Sequence, residues 1–118
     1  MIEYKGYTGV LEYDPSIEAL TGHVIDIKGE IYFEGRSVDE AKASMRQAID
    51  HYLAACEKRG IEPDRPYSGK IMLRTDPAVH RAVAIAAARE RRSMNEWAEE
   101  KLAEAAGAAR RKKEQAGA

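Results

Sequence analysis

A chain of 118 residues has room for one ordinary domain or two very small ones, and its 19 basic and 20 acidic side chains leave a net charge of −1, with no global basic signature. Its 44% apolar content suits a folded protein, whereas 33% charged residues with one Phe and one Trp argue against a large core and for two small ones. The charge is segregated: up to Gly60, 7 Lys/Arg face 11 Asp/Glu, a balance of −4, and beyond it 12 face 9, a balance of +3.

Residues 4–34 alternate in the manner of strands. Tyr7, Leu11 and Tyr13 fall on one face with Val10 and Glu12 on the other, and Asp14-Pro15-Ser16 ends the run as a turn. A second strand is expected over residues 20–27, rich in the β-branched Thr21, Val24, Ile25 and Ile27, and a third over residues 30–34 after a tight Lys28-Gly29 turn. The pattern predicts a three-stranded antiparallel meander.

After Gly35 the period changes. Ser37 with Glu40 forms a capping box, in which the Ser oxygen accepts the N3 backbone N–H and the Glu carboxylate returns to the Ser N–H. Ala41, Met45, Ala48, Ile49, Tyr52, Leu53 and Cys56 then recur at three- and four-residue steps, one helix laid on the sheet and ended by Gly60. The lone cysteine, Cys56, excludes an intramolecular disulfide and a multi-Cys zinc site, and reads as a small apolar residue of that helix face. Residues 61–67, with Pro63, Asp64 and Pro66, read as a stiff linker between domain 1–60 and a rear domain 68–106.

Residues 68–75 (SGKIMLRT) predict one short strand with no hairpin partner in its own chain. Its open row of donors and acceptors must find another strand. Asp76 and Pro77 then start a helix, as N-cap and N1, with Val79, Val83, Ala86 and Ala87 inward and Ile85 at the margin. Ser93 and Glu96 open a second helix with Met94, Trp97, Ala98 and Leu102 inward. Residues 107–118, which include Arg110 to Lys113, are expected to be a flexible basic tail.

Strand, helix, helix in about 40 residues is too little to bury a core alone. Two copies pairing their strands across a two-fold axis would solve that, with Ile71, Leu73 and Trp97 in the shared core and Lys70, Met72 and Arg74 outward. Such a ribbon fits a DNA major groove, and the helix N-terminus at Ser93-Met94-Asn95 suits a phosphate. The alternative for an alternating basic strand is a solvated face.

These residues, Tyr67-Ser68-Gly69-Lys70 leading into Leu73-Arg74, then Pro77, His80, Ser93, Asn95 and Trp97, resemble the ribbon-helix-helix domain of the HicB family of antitoxins. The front is similar to that family in Tyr13-Asp14, Gly22, Gly35, Glu40-Ala41, Tyr52, Leu53 and Pro63. The resemblance implies an α+β protein with a degenerate RNase H-like front domain that covers a HicA-like mRNA-cleaving toxin, and a rear homodimer that binds operator DNA and represses the operon. It places base contacts at Lys70, Met72 and Arg74, and phosphate contacts at Ser93 and Asn95. Met72 departs from the polar residue common at that position: it can touch a thymine methyl but makes no bidentate contact.

An RNase H-like sheet raises the question of a metal-ion nuclease, whose carboxylates would come from Glu12, Asp14, Asp26, Glu30 and Glu34. Asp14 precedes Pro15 in a turn, and Glu30 and Glu34 read as solvated strand ends, so neither a catalytic cluster nor a metal or other cofactor is expected. His23, His51 and His80 lack partners by spacing and read as structural. An acidic front instead suits a basic, RNA-cutting partner, with Glu12, Asp26, Tyr32 and Glu34 as the candidate toxin contacts. The competing readings are a stand-alone transcription regulator, whose front domain binds a ligand or oligomerises, and a nuclease. A second contact through the front domains would make a tetramer. With neither a basic n-region nor an apolar run of about 18 residues, a cytoplasmic protein with no membrane contact is expected.

Overall fold

The computed structural model describes residues 1–110 and divides the chain into two compact units, a front unit Met1–Lys70 and a rear unit beginning at Ile71. The class is α+β. The front unit holds an antiparallel sheet in the order β1 (Ile2–Tyr4), β2 (Tyr7–Asp14), β3 (Ala19–Val24), β4 (Tyr32–Gly35), followed by α1 (Val38–Arg59). The rear unit holds α2 (Pro77–Arg89) and α3 (Met94–Ala106). Of the tail expected over residues 107–118, residues 111–118 lie outside the described residues.

The sheet has four strands, not the three expected. The extra strand, β1, turns into β2 through Lys5 (φ 50°) and Gly6 (φ 83°), with Tyr4 paired to Tyr7. Two consecutive residues at positive φ make a two-residue turn whose twist matches the flanking strands. At the other corner the Asp14 carboxylate accepts from the Ser16 N–H (2.9 Å) and hydroxyl (2.6 Å), which holds its carboxyl below the usual carboxylate range. β3 ends at Val24, three residues before the expected Ile27, because Asp26 adopts φ 56° and leaves the extended region. The connection to β4 is thus a loop over residues 25–31 and not a tight turn.

α1 follows the expected stripe: Ala41, Met45, Ile49 and Cys56 are buried, the first three in one cluster with Ile2, Tyr7, Val24, Ile31 and Phe33 of the sheet side. Full burial of a side chain such as Met45 or Ile49 contributes roughly 1.5–3 kcal/mol. The Ser37 Oγ accepts from the Glu40 N–H (3.1 Å), as expected, but the Glu40 carboxylate returns to the N–H of Arg36 (2.8 Å) and not to that of Ser37. β4 is an edge strand, and the Ser44 hydroxyl of α1 accepts from the Glu34 N–H at that edge (3.2 Å). The helix lies so close to the sheet that a Cβ on Gly35 would strike the backbone of Glu40 and Ala41.

In the rear unit α2 and α3 start on Asp76 and Ser93 as expected: Asp76 Oδ1 accepts from the Ala78 N–H (2.8 Å), and Ser93 Oγ from the Glu96 N–H (3.0 Å). Residues 68–75, expected as a strand, form none in the single chain. A strand is held by a ladder to a second strand, and none of the strand pairings among the described residues involves this segment.

All three helices end in the same way. The 6→1 and 5→2 bonds that close α1 and α3 carry Gly60 (φ 67°) and Gly107 (φ 68°) at the left-handed position, whereas α2 places Arg91 (φ 54°) there, with the Arg92 N–H donating to Ala87 O and the Arg91 N–H to Ala88 O. A side chain at that backbone conformation costs roughly 1 kcal/mol. Arg91→Gly should therefore raise the thermal stability of the α2–α3 pair, read as a higher helix melting temperature; a lower one would show that the arginine side chain holds the turn. Among the described residues no helix is long and apolar enough to cross a membrane.

Candidate nucleic-acid and partner interfaces

Among its described residues the rear unit leaves most of its apolar side chains exposed or only partly buried. α2 buries only Ala87, and α3 buries none. Val79, Met94 and Leu102 are exposed, and the segment before α2 is more so: Ile71 at 73%, Met72 at 90% and Leu73 at 60%. Three successive apolar residues are thus left facing solvent. Lys70, Arg74 and Asn95 are also exposed. Lys70 is the last residue of the front unit, and Met72 and Arg74 belong to the rear.

Ser93 and Asn95 sit where α3 begins, but in different states. The Ser93 hydroxyl is spent on the cap, accepting from the Glu96 N–H, while Asn95 carries no such duty. Trp97 is half-buried within its own chain. Its indole N–H donates to Glu90 Oε2 (2.6 Å) and Lys101 Nζ lies 5.6 Å from the ring centroid. Arg92 ties the helix pair together through ion pairs with Glu100 and Glu90 and a bond from its guanidinium to Glu96 O (3.0 Å). The bond from Arg92 holds the Glu100 carboxyl below the usual range.

On the front unit, period 2 and the strand register place two rows on the sheet face away from α1. Val10, His23 and Tyr32 form one, and Glu12, Thr21 and Glu34 the next. The structure thus brings together Glu12, Tyr32 and Glu34 of the four candidate toxin contacts. The nearby Glu30 carboxylate pushes the Tyr32 phenol above its ordinary range. These strands put no Lys or Arg on that face: Glu3 and Asp14 share the parity of Glu12. The fourth candidate, Asp26, lies off this face, in the loop over residues 25–31.

Asp26 belongs instead to a polar clasp that sequence reasoning missed. Residues 61–67, expected as a stiff linker, are bonded to the rest of the front unit through Asp64 and Tyr67 at five points. The Asp64 N–H donates to Tyr52 Oη (2.7 Å), Tyr7 Oη donates to Asp64 O (2.6 Å), and the Gly29 N–H donates to Asp64 Oδ2 (3.1 Å). The Tyr67 N–H donates to Asp26 Oδ2 (2.8 Å), and Tyr67 Oη donates to Thr8 Oγ1 (2.7 Å). Burial raises the phenol pKa of Tyr7 and of Tyr52. A cleft of about 640 Å³ opens beside the clasp, its cations Lys28, Arg65 and Lys70 matched by the carboxylates of Asp26, Glu62 and Asp64, so it has no net charge to draw an anion. Among the described residues no group of three or more His, Cys, Asp or Glu is placed to hold a metal ion.

The structure therefore defines a two-unit α+β protein with an acidic sheet face and an uncovered apolar segment leading into a helix pair. A model of the HicB family matches residues 52–102, from the last turns of α1 to near the end of α3. The matched stretch, less than half of the chain, is similar to that family. No curated protein and no solved structure matches the chain.

Proposed function

We propose that the chain is a non-catalytic, cytoplasmic antitoxin. In this reading the front unit, a degenerate RNase H-like fold, covers a small basic mRNA-cleaving toxin similar to HicA. Two rear units pair through residues 68–75 into the antiparallel ribbon of a ribbon-helix-helix dimer, which binds operator DNA and represses the operon. The observation that carries it is the HicB-family match, which takes in the exposed segment, α2 and most of α3.

Two physical arguments support the reading. A helix pair that buries only Ala87 gains little from folding alone, and a second copy would cover Ile71 and Leu73 while giving each strand its missing partner. On the front unit, a sheet face with Glu12, Glu34 and an exposed Tyr32, on strands that hold no Lys or Arg, suits a basic partner that otherwise holds RNA.

The test is a titration of the full chain against the DNA upstream of its own gene at two ionic strengths. Affinity should fall steeply with salt, as counterion release at several phosphates requires. Arg74→Ala should cost about 1–3 kcal/mol per lost bidentate contact and relax the sequence preference. Asn95→Ala should weaken all sequences alike, because phosphate contacts position without reading. It is a cleaner variant than Ser93→Ala, which also removes a helix cap worth about 1 kcal/mol. Unchanged binding by Arg74→Ala in a folded protein would remove the ribbon as the reading element. For the front unit, co-expression with a short basic neighbouring gene product should relieve the growth arrest that product causes; continued arrest would sink the antitoxin assignment.

A further inference from the structure

The clasp is more than a seal on the core. The buried cluster of the front unit is complete with Ile2, Tyr7, Val24, Ile31, Phe33, Ala41, Met45 and Ile49, none of which comes from residues 61–70. What those residues add is polar and carries backbone cost. Asp26 (φ 56°) and Tyr67 (φ 60°) both occupy the left-handed region without being glycine, and they are bonded to each other. Strain of this kind persists only where surrounding contacts enforce it. Tyr67 remains 58% exposed, yet its hydroxyl donates to Thr8, a polar residue only 5% exposed.

The place of the clasp along the chain gives it a use. Tyr67 is its last bonded residue on the front unit, Lys70 ends that unit, and Ile71-Met72-Leu73-Arg74 follows at once. We propose that Asp26, Asp64 and Tyr67 are positioning residues for the DNA-reading segment. By fixing the point at which the chain leaves the front unit, they restrict the conformations open to residues 68–75 and so lower the ordering cost that segment meets when it pairs on DNA. This rests on the DNA-binding reading above. The three residues touch no DNA; they act through Lys70 and the residues after it.

A positioning role and a merely structural one separate by experiment. The full chain and its variants are titrated against the upstream DNA at several salt concentrations, with thermal unfolding of the front unit followed in parallel. Tyr67→Phe removes the bond to Thr8 and keeps the ring, and Asp26→Ala removes the acceptor for the Tyr67 N–H. Each should weaken DNA binding about tenfold, the scale of one residue's backbone ordering. The salt slope and the base preference should stay those of the wild type, since no phosphate or base contact is lost. Inserting Gly-Ser-Gly-Ser after Lys70 should cost a similar factor in the wild type and add nothing in Asp26→Ala, where the tether is already loose.

Wild-type affinity in both clasp variants, a shallower salt slope, or a fully additive loss with the insertion would overturn the proposal. Should Asp26→Ala fail to fold, the same cycle run on Tyr67→Phe decides it. A wild type that does not bind DNA would overturn the DNA reading and the clasp's role with it. A wild type that binds, alongside clasp variants that bind equally well, would overturn the clasp alone.

Discussion

Replacing Gly35 by alanine should destabilise the front unit more than the same change at Gly9, the glycine of β2. Gly35 pairs with Leu20 in the ladder, and the added carbon would strike the amide of Ala41 and the carbonyl carbon of Glu40, both in the first turn of α1. Backbone cannot swing aside as a side-chain tip does, so the helix would have to lift from the sheet that covers Met45 and Ile49. Overpacking of this kind costs about 1–3 kcal/mol. A unit of about 70 residues holds only about 4–10 kcal/mol in total. At Gly9 the nearest atoms are the Met45 sulfur (2.7 Å) and the edge of the Phe33 ring (2.7 Å), side chains with some freedom to shift. Gly9→Ala should therefore lower the urea midpoint less than Gly35→Ala; the reverse order would mean that the close approach of α1 at Gly35 is not what fixes the helix on the sheet.

The helices were legible because their signals are local. Ser37 with Glu40, Asp76 with Pro77, and Ser93 with Glu96 each lie within four residues, and the stripe from Ala41 to Cys56 repeats at the helical period. β1 was missed because a three-residue strand has almost no pattern, and because Lys5 at positive φ is not a residue that announces a two-residue turn. The clasp was illegible for another reason. Its bonds join Tyr7 to Asp64 and Thr8 to Tyr67 across separations of 57 and 59 residues, which no window along the chain contains. Prolines 63 and 66 correctly signalled irregular backbone, but irregular backbone can be bonded as firmly as a strand. Of the candidate partner residues, alternation placed Glu12, and the register put Tyr32 and Glu34 on its face; Asp26 lies off that face because the backbone turns at that residue.

The segment over residues 68–75 offers the largest expected effect in the rear unit, because adjacent residues should fail in opposite ways. Period 2 assigns Leu73 to the shared core of the proposed ribbon and Met72 to the outward face. In the single chain both are exposed, at 60% and 90%, so a carboxylate at either position costs the isolated chain little. The cost arises on pairing. Leu73→Asp would bury an unpaired charge twice per dimer, a penalty of several kcal/mol at each site that the protein escapes by staying apart. Met72→Asp leaves the core intact and sets a negative charge against the phosphates, while Met72→Leu keeps an apolar contact there. Sedimentation of the full chain should show a dimer for the wild type, Met72→Leu and Met72→Asp, and a monomer for Leu73→Asp. DNA binding should survive only in the wild type and Met72→Leu. An opposite assignment, with Met72→Asp monomeric and Leu73→Asp dimeric, would invert the faces of the ribbon. Leu73→Asp and Met72→Asp proteins that both remain dimeric and bind DNA would leave the segment with no part in either contact.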